Sequence, residues 1–553
     1  MCSQASLHRV SWWGESLTRG ELDDVLGEIY DEPAAVDDRG RAFKRLLDHF
    51  GDRFGTQRDV VLARCPCRVN LMGMHVEHRG GYVNYVTHGR EILAVGAPRV
   101  DDTVRITDVR SDRFPEREFT ITDEIEMGNS SSWLEYIDSP SVVKRVASNQ
   151  GDWSNYVRAS VLRLQIRFDQ RDLRGFDAAF LGDIPTSSGL SSSSAMVVLS
   201  SLLTLELNSL EVDRAELVEL CGEGEWYVGT RGGAGDHAAM LFCERDRICH
   251  LRFFPFEVDD QIPLPDDCSI VICDSMKSAR KAGDVLDAYN QTIAAYNMVL
   301  ILAKGAMGDL GLGQDLIDGT EHLRDMNPER IPLADIYRVI RALPEMETRE
   351  DLLRRFPEQV QHLERLFRTH KPPSKGYRIR SVAMFGIAEC ERGKVFANLM
   401  RSGDVEEIGR LMSIEHDGDR VVEYDRERDK WKPWDNHVTE SMLDQLIEDC
   451  ETESAAAIER SKLHLQSGGY GCSSPELDQM VDIAASVPGV LGAGLTGAGF
   501  GGCIRVLVRD RAVEELLSEM WDRYYAPRGL PMGAEVLRSA RGACILPDRV
   551  QGQ

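Results

Sequence analysis

A chain of 553 residues with 42% hydrophobic side chains is long enough for two or three domains, each burying its own core. Acidic residues (91) outnumber basic ones (65), and the formal charge of -26 with no dense basic patch argues against nucleic acid as a partner. No apolar run of about 18 residues is present to cross a membrane, and the start lacks the basic flank and apolar core of a signal peptide, so a cytoplasmic protein without a membrane partner is expected. Thirteen cysteines, scattered without a CxxC pair or a His/Cys metal spacing, read as reduced thiols and not as a disulfide framework or zinc site.

Residues 1–57 are charged and helix-like, with Pro33 and Gly40 as breakers, and read as an N-terminal extension. From residue 61 the pattern changes to short apolar runs such as "EILAVGA" and "TVRITDV", which suit strands separated by turns. Helical patterns join after about residue 153, and 284–370 carries apolar residues at spacings of three and four among charges, the period of amphipathic helices. Residues 476–508 read as a helix, a glycine-rich turn and a strand.

Three stretches carry chemistry. In "GDIPTSSGLSSSSAM" (182–196), Pro185, Gly189 and the serines Ser191 to Ser194 lie at the mouth of an apolar helix, whose N-terminus has unpaired N–H groups and partial positive charge. Small residues there let a phosphate reach the backbone, although an ordinary serine cap on a buried helix has the same composition. The string GxxxxGK[ST] is absent, which disfavours a Walker-type nucleotide fold. In "GAGLTGAGFGGC" (492–503) five glycines follow Gly492, suiting either a second ligand loop or a flexible hairpin. "CRVNLMGMHVEHRGG" (67–81) packs Arg68, Asn70, His75, Glu77, His78 and Arg79 into twelve residues. Each stretch alone has a bland explanation, while the three together point to a ligand site.

In this order the three stretches resemble the motifs of the GHMP kinases, and their details resemble the galactokinase branch. The first tracks a string close to GRVNLIGEHTDYNGG at Arg68, Val69, Asn70, Leu71, Gly73, His75, Gly80 and Gly81. The second follows GDVPLGSGLSSSAAL, and the third matches LTGAGFGGC letter for letter at 495–503. Smaller echoes are "WSNYV" (153–157), "YVGTRGGAGDHAA" (227–239), "AYNQ" (288–291) and "SSPELDQMV" (473–481).

The resemblance implies an α/β kinase of two lobes, with mixed sheets flanked by helices and the active site in the cleft between. The expected division is an N-terminal lobe over 58–265 and a C-terminal lobe over 266–553. ATP and Mg²⁺ are the implied cofactors and a monosaccharide the implied substrate, with the chain a monomer or a homodimer. ATP is expected on Pro185, Ser188, Gly189, Leu190, Ser191, Ser192, Ser193, Ser194 and Ala195. Asp236, eight residues after Val228 as in the family, is the implied general base, and Arg68 the cation that keeps it ionised and offsets transition-state charge. Mg²⁺ is expected on Ser193, or its neighbour Ser192, and Glu225, with Glu223 as the rival carboxylate. The sugar is expected among Met74, His75, Glu77, His78, Gly235, Tyr289 and Gly499.

Two departures from the family stand out. A charged segment at about 417–466 is longer than its counterpart and suits a lid, a dimer contact or an inert surface excursion. Met74, Glu77 and His78 replace the Glu, Asp and Tyr of GEHTDY, so galactose is expected to be a poor substrate beside a pentose, a 6-deoxyhexose or a uronic acid. A non-catalytic sugar and ATP sensor, or a kinase of another GHMP pathway, are the alternatives. The complete serine loop and the "PELD" and "WSNYV" echoes weigh against them.

Overall fold

The computed structural model describes residues 7–128, 130, 132–278, 284–425 and 430–547. Nine strands make the larger sheet: β1 (His8–Arg9), β2 (Asp59–Met72), β3 (Val83–Pro98), β4 (Thr103–Asp108), β5 (Arg117–Thr120), β6 (Phe176–Gly182), β7 (Arg247–Arg252), β8 (Glu257–Pro263) and, from the far end of the chain, β17 (Cys544–Leu546). The order is β1-β2-β3-β6-β4-β5, with β17 also on β2, β7 on β3 and β8 on β7. All pairs are antiparallel except β4 with β6.

Strand β2 is buried from Val60 to Met72 because both faces of the sheet are covered. Its side chains alternate between two cores. Val61, Ala63 and Cys65 face the main core with the helices Ser154–Arg167 and Ser192–Leu207, while Val60 and Leu62 face a second core with Trp13, Phe43, Leu46 and Phe50. Pro66, which cannot donate to a ladder, sits where the β2–β3 register shifts.

The second core changes the reading of the N-terminus. The helices Val10–Thr18, Asp23–Tyr30 and Pro33–Phe54 cover one face of the sheet. Pro33 opens the last of these helices at its first turn, where its missing N–H costs nothing. Gly40 lies within that helix and does not break it: the stripe Val36, Phe43, Leu47 and Phe50 is buried, which outweighs the cost of about 1 kcal/mol for an internal glycine.

A smaller antiparallel sheet has the order β14-β15-β9-β16, from β9 (Cys268–Asp274), β14 (Val490–Thr496), β15 (Cys503–Arg509) and β16 (Ala534–Val536). "GAGLT" is therefore strand, and the glycine-rich turn begins only at Gly497. The reason is close packing: a Cβ on Gly492 would fall 2.1 Å from the carbonyl oxygen of Gly409, so the helix Val405–Asp419 lies backbone to backbone on β14. Two-stranded pieces join β10 (Met346–Glu347) to β11 (Tyr377–Arg378) and β12 (Val422–Asp425) to β13 (Lys430–Pro433).

The α-rich stretch appears as the helices Asp284–Asp309, Leu333–Ala342, Arg349–Arg355 and Val360–Phe367. The charged segment after it is not a surface excursion throughout. Its helix Glu440–Glu451 lies against Leu333–Ala342, with Leu443 buried and Arg341 Nε 2.5 Å from Asp444 Oδ1, and Tyr337 donates its hydroxyl to the Ser461 carbonyl. The β12–β13 hairpin presents two aromatics, Tyr424 and Trp431, to solvent. No described helix is long and apolar enough to cross a membrane, and no disulfide joins the described cysteines.

Candidate active site

Arg68, near the end of β2, and Asp236, in the first turn of the helix Gly235–Phe242, meet at the N-terminus of the serine helix Ser192–Leu207. Arg68 Nε donates to Asp236 Oδ1 at 2.5 Å, Nη1 to the Gly189 carbonyl at 2.7 Å and Nη2 to Ser191 Oγ at 2.6 Å. Ser191 in turn donates its hydroxyl to Asp236. Burial opposes ionisation of Asp236, but the guanidinium and the hydroxyl together hold its carboxyl down at about 2.

Ser191 explains the serine run. It precedes the helix with φ 55°, in the left-handed region, and its side chain is spent on Arg68 and Asp236 without capping the helix. The reading as an ordinary serine cap therefore fails. The first-turn N–H groups are left without a side-chain cap, at the positive end of the helix dipole.

Around this point the three motifs converge. Gly189 has φ 80°, and a Cβ there would fall 2.8 Å from the Thr496 carbonyl oxygen, so the serine loop is seated on the third motif. Thr496 Oγ1 accepts from the N–H of Asn70 at 3.1 Å, tying the third motif to the first. Ser188 donates to the Pro185 carbonyl at 2.8 Å, shaping the loop from within. Leu190 and Ala195 turn their side chains into the main core, leaving only backbone for a ligand. Ser192 and Ser193 are half-buried in the first turn. Ser194, not Ser193, meets Glu225, at 2.7 Å between Oγ and Oε2, and His237 Nε2 lies 3.0 Å from the same oxygen. Glu223 is turned to Arg163, at 2.7 Å.

The polar turn after β2 is held from behind. Glu389 Oε1 accepts from the N–H groups of Gly73 (2.7 Å) and Met74 (3.0 Å), and Glu415 Oε1 from Met74 (3.2 Å). The Met74 side chain, 2% exposed, belongs to the main core. Glu77 lies on the glycines before Asp236: a Cβ on Gly233 would fall 2.4 Å from its Cγ. On Gly235 a Cβ would fall 2.5 Å from Tyr85 Oη, and on Gly232 2.8 Å from Tyr289 Oη. Those glycines are small because Glu77, Tyr85 and Tyr289 crowd against them. Burial pushes the Tyr289 hydroxyl up, with the carboxylates of Glu77, Asp236 and Glu225 adding to it.

His78 lies 3.7 Å from Glu77, and burial beside Arg79 lowers its pKa. Burial also lowers Arg79, to about 10; it donates to Asn297 Oδ1 at 2.8 Å and lies over the Tyr296 ring. His75, at φ 63°, stacks on Tyr470 and turns Nε2 to Cys472 and Asp419. Gly499 packs on the same cysteine, where a Cβ would fall 2.3 Å from the Cys472 carbonyl oxygen. Tyr85, His237, Glu389, Glu415, Asp419 and Cys472 are absent from the sequence reading. Of these only His237, next to Asp236, carried a local signal.

The chain is similar to known proteins over most of its length. The GHMP kinases N-terminal domain matches residues 155–244, the GHMP kinases C-terminal domain 442–526, and the galactokinase galactose-binding signature 48–98. The second match includes 442–466, part of the segment read as an insertion. A galactokinase of Roseiflexus sp. (strain RS-1) is 25% identical over 519 residues, covering 93% of this chain and 99% of that protein. A galactokinase of Dictyostelium discoideum is 23% identical over 577 residues, covering 96% and 99%. Among solved structures, Lactococcus lactis galactokinase complexed with galactose has a TM-score of 0.61 at 22% identity, covering 91% of this chain and 99% of that one. With the converging motifs in one α/β fold, the chain carries both GHMP kinase domains and the galactokinase galactose-binding signature, and it is similar to galactokinases along nearly its whole length.

Proposed function

We propose that the protein is an ATP-dependent sugar kinase that phosphorylates a monosaccharide at its anomeric C1 hydroxyl, between lobes built on the two sheets. The observation that carries this reading is the Arg68–Asp236–Ser191 cluster at the uncapped N-terminus of the serine helix. Backbone N–H groups of 192–194, pointing outward at the positive end of a helix, suit the oxygens of a nucleotide phosphate. Glu225 and a hydroxyl of the first turn suit Mg²⁺, an oxygen-seeking cation, and the pairing of Glu223 with Arg163 favours Glu225. Mg²⁺ with ATP supplies, when bound, the phosphoryl group and much of the neutralising charge.

Asp236 is ionised at neutral pH and takes the proton of the sugar hydroxyl. A carboxylate with so low a pKa is a weak base, so the proton moves as the new O–P bond forms and not before it. Arg68 keeps Asp236 ionised and sets a positive charge beside the place where charge develops on the migrating phosphoryl. Glu77 and Tyr289, both against the 232–235 turn, hold sugar hydroxyls.

The buried Met74 offers a sugar no hydrogen-bond acceptor, so we place galactose behind a pentose or a 6-deoxyhexose. Arg79 is engaged by Asn297, which leaves His78 alone to favour a uronic acid. ATP consumption with galactose, arabinose, fucose and glucuronate, with phosphorus NMR of the product, tests the reading. A sugar 1-phosphate from one of the latter three supports it, and no sugar-dependent ATP turnover with any sugar of a wider panel overturns it.

A further inference from the structure

His75, Asp419 and Cys472 come from three distant parts of the chain and converge on one point. His75 follows the turn after β2, Asp419 ends the helix Val405–Asp419, and Cys472 precedes the helix Pro475–Ala485. Cys472 Sγ lies 3.2 Å from His75 Nε2 and 3.2 Å from Asp419 Oδ1, and His75 Nε2 lies 3.6 Å from Asp419 Oδ2. Bond lengths of about 2.0–2.1 Å for nitrogen and oxygen and about 2.3 Å for sulfur around a tetrahedral Zn²⁺ put ligand atoms about 3.4–3.6 Å apart. The thiol lies within about 0.4 Å of that spacing from both the imidazole and one carboxylate oxygen, His75 lies at that spacing from the other carboxylate oxygen, and one ligand atom from each of the three residues lies within 4.8 Å of the other two.

Two further observations separate a ligand set from a packed polar cluster. Asp419 is fully buried, its Oδ2 has no hydrogen-bond partner, and no Lys or Arg pairs with it among the described residues. A buried carboxylate ordinarily has a cation or a metal beside it. A nucleophilic triad is also excluded, because its thiol and acid occupy opposite ring nitrogens, whereas here both approach Nε2. His75 is held at φ 63°, an uncommon backbone for a histidine, with its ring stacked on Tyr470 at 4.4 Å, which directs Nε2 at the other two.

We propose that His75, Asp419 and Cys472 bind a divalent transition metal of the zinc class, distinct from the Mg²⁺ used with ATP. Thiolate with imidazole and carboxylate selects Zn²⁺ over Mg²⁺, which prefers oxygen alone. Binding releases the Cys472 thiol proton to solvent and sets a thiolate on the metal. The metal clamps the turn at His75 to the end of the helix Val405–Asp419 and to the strap that carries Cys472. The inference does not depend on the kinase reading, because its test needs neither sugar nor nucleotide.

The test is to strip the full-length protein with a chelator and titrate it with Co²⁺ alone, then with Zn²⁺ in competition. One equivalent of Co²⁺ with a sulfur-to-metal charge-transfer band, displaced by Zn²⁺ and unmoved by excess Mg²⁺, is expected. Cys472→Ser should abolish the band, and Asp419→Asn should weaken uptake by about tenfold or more. Should Cys472→Ser fail to fold, Asp419→Asn gives the reading by itself. Absence of a thiolate band in the native protein, or uptake unchanged in the folded variants, overturns the proposal.

Discussion

Arg68 and Asp236, 168 residues apart in the chain, form an ion pair 2.5 Å long whose remaining donors are fastened to Gly189 and Ser191. The pair thus joins β2, the serine loop and the helix after the 232–235 turn. Its loss would be felt both in chemistry and in the seating of three segments.

Asp236→Asn is expected to lower turnover by about 10²- to 10⁴-fold, the usual contribution of a general base, with nucleotide affinity nearly unchanged. Single-turnover kinetics beside nucleotide binding checks this. Asp236 is out of the mechanism if the variant turns over at the native rate.

The low pKa of Asp236 also makes a stability statement. Its folded value is depressed from 3.8 to about 2, so its contribution is present above pH 4 and is lost as pH falls through 2. The amount is of order 2 kcal/mol. Acid unfolding followed by circular dichroism should be less steep between pH 4 and 2 in Asp236→Asn than in the native chain. Parallel curves would assign the acid sensitivity to other carboxylates.

Gly189→Val is expected to damage nucleotide binding by parting two loops, since its Cβ is directed at the Thr496 carbonyl and its φ is in the left-handed region. Gly189→Ala should show a milder form of the same defect, of about 1–2 kcal/mol for the backbone alone. Nucleotide affinity and thermal midpoint should fall together, and native affinity in Gly189→Val would move the phosphate site elsewhere.

Glu225→Gln should raise the Mg²⁺ concentration needed for half-maximal turnover, whereas Glu223→Gln should leave it unchanged. The reason is that Glu223 is already neutralised by Arg163, while Glu225 faces Ser194. A titration of activity against free Mg²⁺ decides between them, and the reverse pattern would reassign the metal carboxylate.

Met74→Glu is not expected to create a better galactose site. Two carboxylates, Glu389 and Glu415, already hold the backbone N–H of Met74, and a third in the same core would be buried without a cation. The thermal midpoint should drop by several degrees, with no gain in turnover on galactose. A stable variant with improved galactose turnover would show that the side chain can turn to the sugar.

Local features of the site were legible in the order of residues. A glycine and a serine run before an apolar helix, a polar cluster after a strand and a glycine-rich turn before another strand all depend on neighbours in the chain, so sequence determined the α/β class and the three motifs. Which way the side chains point was decided by packing. Ser191 abandons the helix cap because Arg68 and Asp236 arrive beside it from other elements. Gly492 and Gly494 lie in a strand because the helix Val405–Asp419 lies flat against it, and Gly40 is carried through a helix by the apolar stripe around it. His75 meets Cys472 across 397 residues, with Asp419 beside both. No local spacing encodes such a meeting, because it exists only once β2, the helix Val405–Asp419 and the strap before Pro475 have been brought together by burial of the main core.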